Sequence, residues 1–166
     1  MKHMPLTIAF ILFAFPVVAD DTNNVARQYI NYFSKGYLEK ASKLMACPDS
    51  YSEEQIKNER RANRESLQIF KKEFGKIKRA SISHMNSYIT AMTACGDIEF
   101  LRKNHPFRTI VFKVKYENNG AGYIVLGFSG ATTEAKLITV SHGLSALEPG
   151  AKEKVTEITN KLATKR

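Results

Sequence analysis

Residues 108–128 read RTIVFKVKYENNGAGYIVLGF, and this stretch decides the fold class. From Arg108 to Glu117, Ile110, Phe112, Val114 and Tyr116 alternate with Thr109, Val111, Lys113 and Lys115, the period of a strand with one buried face. Asn118-Asn119-Gly120 supplies residues that tolerate positive φ, so the chain turns back and Tyr123 to Phe128 returns as the second arm of a hairpin. Ser129 to Thr133 turns again, and Lys136 to Ser141 makes a last strand. Upstream, β-compatible residues alternate from Ile77 and continue through Ser87 to Thr93, before a charged connection over 96–106. The prediction is an antiparallel sheet of about four strands.

Helices precede the sheet. Val25, Tyr29, Tyr32 and Phe33 recur at helical spacing behind the polar Asp20-Asp21-Thr22-Asn23-Asn24 cap, and Gly36 offers a left-handed end. Tyr37, Leu38, Ala41, Leu44 and Met45 restart the period until Cys47-Pro48-Asp49 stops it. Ser52 with Gln55 reads as a capping box, opening a long helix whose stripe runs Ile56, Arg60, Asn63, Leu67, Phe70 and Phe74 and ends at Gly75. Its first half is polar even on the inner face, so only the second half is expected to dock. The fold class is α+β, with N-terminal helices packed on the sheet, in one domain over 20–148. Residues 149–166 form a short basic C-terminal helix or tail carrying Val155, Ile158 and Leu162.

The 166 residues are 43% hydrophobic and 25% charged, which suits one globular domain; nine Gly and five Pro exclude a collagen-like chain. Leu6 to Val18 is an apolar run behind Lys2, closed by Val17-Val18-Ala19, the pattern of a signal peptide over 1–19 cleaved after Ala19. A membrane anchor is the competing reading, but a span needs about 20 apolar residues and this run is shorter. The chain is therefore expected to be periplasmic or secreted, where Cys47 and Cys95 pair as a disulfide. A thiol metal or redox site lacks the Cys-x-x-Cys spacing.

Tyr37-Leu38-Glu39-Lys40-Ala41-Ser42-Lys43-Leu44 after Gly36, a helix ending at Phe74-Gly75-Lys76-Ile77, and long C-terminal hairpins together resemble the nuclear-transport-factor-2-like superfamily of cystatin-like cones. The likeness is to its small exported bacterial members of unknown function, over about residues 22–144. It implies a bent sheet wrapped against the helices, with a cavity at the open end of the cone. Family members that act as isomerases or dehydratases carry a Tyr, Asp or His constellation in that cavity, and no such set is placed here by motif.

Tyr29, Phe33, Leu67, Phe70, Phe112, Tyr116, Tyr123 and His142 are the candidate cavity-lining residues, His142 because the end of the last strand can line the mouth of a cone. No His stands at zinc-like spacing, no Gly-x-Ser-x-Gly elbow is present, and the glycines of 120–130 lack the strand-to-helix setting of a phosphate loop, so no metal or cofactor is expected. The net charge of +9 concentrates between Lys57 and Arg79, and Arg60, Arg61, Arg64, Lys71 and Lys72 are a candidate basic docking surface for an anionic membrane or an acidic partner. A solvated helix face is the alternative, and nucleic acid is disfavoured by the signal segment and the lack of a recognition motif. The expected function is an exported, non-catalytic module binding a small apolar ligand or an envelope protein. The alternatives are an isomerase- or dehydratase-like enzyme in the same cavity and an envelope assembly or secretion component.

Overall fold

The computed structural model describes residues 21–83, 88–96, 107–129 and 136–164. The signal segment, His84 and His105 lie outside them. Three helices come first, α1 (Asp21–Lys35), α2 (Leu38–Lys43) and α3 (Glu53–Phe74). Five strands follow, β1 (Ile77–Ser83), β2 (Tyr88–Ala94), β3 (Phe107–Tyr116), β4 (Gly120–Ser129) and β5 (Leu137–Ser145), and α4 (Ala151–Ala163) closes the chain. The α+β class is as expected. Among the described residues no helix is long and apolar enough to cross a membrane.

The strand number corrects the sequence reading. The alternating stretch from Ile77 to Thr93 is two strands, and they do not pair with each other: the order is β1-β3-β4-β5-β2, antiparallel throughout. Alternation reports which residues face one way, not which partner a strand finds, so a fifth strand is invisible to it. The order has a geometric consequence. Ser83 pairs with Val111, and that row continues through Val125 and Ser141 to Met92, four positions beyond the start of β2. In a flat sheet, four strand spacings and four residues along the strand would put Ser83 about 23 Å from Tyr88. Five links of chain span at most about 18 Å. The sheet therefore curls, bringing its edges toward each other around the helices.

One row of side chains crosses the inner face through Phe112, Ile124, His142 and Ala91, with Val114 and Leu144 beside it. Against it lie Ala26, Tyr29 and Phe33 of α1 and Leu67, Phe70 and Phe74 of α3, all at most 1% exposed. The α3 capping box forms as read, Gln55 N–H donating to Ser52 Oγ and Ser52 N–H to Gln55 Oε1. Gly75 ends this helix at φ 79° and ψ −159°, a region that essentially only glycine occupies, and the Asn118 side chain of the β3–β4 turn sits over it. In that turn only Gly120 takes positive φ. Helix α4 is no loose tail: Ala151, Val155, Ile158 and Leu162 join the common core, and Lys161 bonds Glu73 of α3 at 2.7 Å.

Candidate functional site

Among the described residues, chemistry-bearing side chains come together in several places. The first lies at the centre of the core. His142, on β5, is 0% exposed and surrounded by rings, with Phe33 and Phe70 at centroid distances of 4.3 and 4.6 Å. Its Nε2 is 2.8 Å from the Tyr29 hydroxyl and its Nδ1 is 3.1 Å from the Tyr116 hydroxyl. Tyr116 also donates to the Tyr123 carbonyl at 3.3 Å. With that proton committed, Tyr116 accepts from Nδ1–H, and Nε2 accepts from Tyr29. The proton order is thereby assigned along the whole chain, from Tyr29 through His142 and Tyr116 to the backbone of β4.

Every member of this chain is neutral. Burial lowers the His142 pKa to about 3. Burial pushes the Tyr29 hydroxyl well above the ordinary phenol range, with Tyr116 adding to it, and raises Tyr116 against a smaller opposing hydrogen bond from the backbone at Gly143. The arrangement pins α1 to β3 and β5, and uses both imidazole nitrogens in doing so.

Gly122 makes it possible. A Cβ there would lie 2.5 Å from a Tyr116 ring carbon and against the Gly143 carbonyl, so the missing side chain is the space that the Tyr116 ring crosses to reach His142. We expect Gly122→Ala to cost about 3 kcal/mol, the upper range for overpacking, and to free the Tyr116 hydroxyl. Urea unfolding together with tyrosine fluorescence measures both. An unchanged midpoint would mean that the ring lies elsewhere.

Of the eight candidate cavity residues, seven belong to this packed centre: Tyr29, Phe33, Leu67, Phe70, Phe112, Tyr116 and His142, none more than 4% exposed. Tyr123 is corrected. It pairs with Lys113 and Gly143, one residue out of phase with the inner row, so its side chain belongs to the outer face and only its carbonyl reaches the chain.

The second place is a groove of about 600 Å³ between α2 and the first half of α3. Lys43, Lys57, Arg60, Arg61 and Arg64 line it against Glu39 and Glu53, with Ser42, Ile56 and Asn58 between them. Glu39 bonds both Lys43 and Arg64 at 3.1 Å, and these two, Lys43 first, hold its carboxyl below the usual range. Arg61 donates to Asn58 Oδ1 at 3.3 Å. Among the described residues no ion pair holds Lys57, Arg60 or Arg61.

The groove thus takes up Arg60, Arg61 and Arg64 of the basic surface read from sequence and leaves out the other two. Lys71 donates to the Phe33 carbonyl at 3.4 Å at the end of α1, and Lys72 is exposed two turns down the helix. Lys43, Ser42 and Asn58 were missed, although positions 57, 60, 61 and 64 share one helical face and carried the signal. A second basic concavity, of about 550 Å³, lies on the outer face of the sheet, where Arg79, Lys113 and Lys115 meet Ser81 and Glu148. Among the described residues no three His, Cys, Asp or Glu side chains converge as a metal site would require. No protein-family model matches this chain, and neither a curated protein nor a solved structure matches it.

Proposed function

We propose that the protein is an exported interaction module, acting by docking rather than by chemistry, that engages an anionic partner or surface through the α2–α3 groove. The observation that carries this reading is the set of five cations against two carboxylates around one surface concavity. The polar first half of α3 supports it: before Leu67 that helix buries only Asn63 and Ser66, so its arginines are not there to cover a core. The leader-like run at 6–18 and the Cys47–Cys95 disulfide suit an oxidising compartment outside the cytoplasm. A curled antiparallel sheet behind N-terminal helices suits a place among the nuclear-transport-factor-2-like cones. The docking reading is preferred to an isomerase or dehydratase because the residues that would line a cone cavity fill its interior instead, and His142 has both nitrogens engaged.

The test compares two double reversals of equal charge, Arg60→Glu with Arg61→Glu in the groove and Lys113→Glu with Lys115→Glu on the sheet. Binding to fluorescent dextran sulfate at moderate salt is the readout. We expect the groove variant to bind about tenfold or more weakly and the sheet variant to change little, since charge-assisted contacts act locally once salt screens beyond about 10 Å. Equal losses would reduce the effect to net charge and sink the groove as a dock.

A further inference from the structure

We infer that the α2–α3 groove is a site for a phosphate monoester carried on a compact group such as a glycerol or sugar unit. The inference rests on the docking reading above and names its ligand.

Size comes first. Lys57, Arg60, Arg61 and Arg64 lie within two turns of α3, about 10 Å of helix, and the groove they line has the volume of a small-molecule site. Four cations facing one short groove suit a small ligand of high charge density.

Charge narrows the class. Glu39 serves Lys43 and Arg64 together, and Glu53 is the other carboxylate at the groove, so a surplus of positive charge remains at Lys57, Arg60 and Arg61. One carboxylate ligand, with a single charge and two oxygens, answers one guanidinium fork. A phosphate monoester carries about −1.5 to −2 at neutral pH and presents three oxygens, enough for two forks and an ammonium.

One donor is already waiting. Arg64 gives Nη1 to Glu39, while its Nε, shut off from water, has no hydrogen-bond partner. A buried donor left unmatched is unfavourable, and turning the side chain into the groove would bring Nε to a ligand oxygen. Glu39 then acts as the hinge that holds Arg64 and Lys43 at the rim until an anion competes for them.

The experiment titrates the full chain with glycerol 3-phosphate by calorimetry, against dimethyl phosphate and glutarate, at pH 7.5 and 5.5, with circular dichroism confirming the fold at each pH. Among the described residues no His lines the groove, and the charged groups facing it are Glu39 and Lys43 from α2 and Glu53, Lys57, Arg60, Arg61 and Arg64 from α3. A loss of affinity on acidification therefore reports the second ionisation of the ligand, near pH 6. We expect glycerol 3-phosphate to bind best and to weaken several-fold at pH 5.5. We expect Arg60→Lys with Arg61→Lys to weaken it about tenfold while leaving dextran sulfate binding intact, because charge is kept and the forks are lost. Phosphatidylcholine vesicles doped with phosphatidic acid tell a lipid-borne ester from a free one, and binding to either upholds the site. Glutarate or dimethyl phosphate binding equally well, an affinity that ignores pH, or an unaffected lysine variant would each overturn the phosphomonoester and leave the docking proposal standing. If the dextran sulfate comparison fails as well, both fall.

Discussion

Acid will unfold the wild-type domain more readily than a His142→Phe variant, although the variant will be the less stable protein at pH 7. In the folded chain burial holds the His142 pKa at about 3, whereas in the unfolded chain it lies near 6.5. Below pH 6.5 the unfolded chain takes up a proton that the folded chain refuses, so stability is full above 6.5 and falls as pH drops toward 3. The loss is about 3 kcal/mol by pH 4 and about 5 kcal/mol when complete. Tyr29 and Tyr116, the two groups bonded to the ring, are raised in pKa and stay protonated across this range. At pH 7 the variant leaves the Tyr29 hydroxyl without an acceptor, at about 1–3 kcal/mol, while Tyr116 keeps the Tyr123 carbonyl. A phenyl ring fits a site already walled by Phe33 and Phe70. The two stability curves should therefore cross between pH 7 and 4, and every other titrating group cancels in their difference. Urea midpoints at pH 7, 5.5 and 4 measure it; curves that stay parallel would show that His142 is not a buried neutral base.

What was legible in the sequence is what short-range chemistry determines. Ser52 and Gln55 are three residues apart and cap α3 whatever the rest of the chain does, and Gly36 and Gly75 adopt the positive φ that ends their helices. The β3–β4 hairpin was equally local, because the alternation and the turn residues are contiguous. The disulfide followed from there being two cysteines and an exported setting. The fate of β1 and β2 was not local at all. Their partners, β3 and β5, lie further along the chain, and nothing within residues 77–94 encodes that one strand goes to each edge.

The sites divide in the same way. His142 and both tyrosines were picked out one by one, for an open strand end and for aromatic spacing, but their meeting depends on contacts spanning 113 and 26 residues. Tyr123 was misplaced because its face depends on the register across the turn. With Tyr116 opposite Gly120, the inner row passes through Ile124, and Tyr123 falls outside. The groove cations were half legible: the clustering of charge singled out Arg60, Arg61 and Arg64, while Lys43 and Glu39 reach them only because α2 folds back against α3.

Replacing Cys47 or Cys95 by Ser should cost about 4 kcal/mol, the loop-entropy value for a link that joins residues 48 apart. The place of the link predicts where the loss will be felt. Cys47 lies between α2 and α3, and Cys95 is fully buried just beyond β2, with the two Cα atoms 4.9 Å apart. Other ties also hold the α2–α3 corner, Lys136 to Asp49 at 3.6 Å and a bridge between Met45 and Leu137 among them. The corner buries Ala41 and Met45, Ala46 donates to the Leu137 carbonyl at 2.7 Å, and Thr93 donates to Asn63 at 2.8 Å. Asn63 also has a buried amide nitrogen with no partner, a cost that offsets part of what this contact contributes. If the disulfide acted on the unfolded chain alone, amide exchange in the variant would speed up evenly over every element that opens by global unfolding. If it also holds the corner, exchange will rise first and most in α2 and in residues 53–66 of α3, while α4, locked by Val155, Ile158 and Leu162, follows only the global loss. We expect the second pattern, because apolar burial in α3 begins at Leu67 and the half before it leans on the link. A midpoint unmoved by the substitution and by reduction of the wild type would mean that the pair does not stabilise the fold.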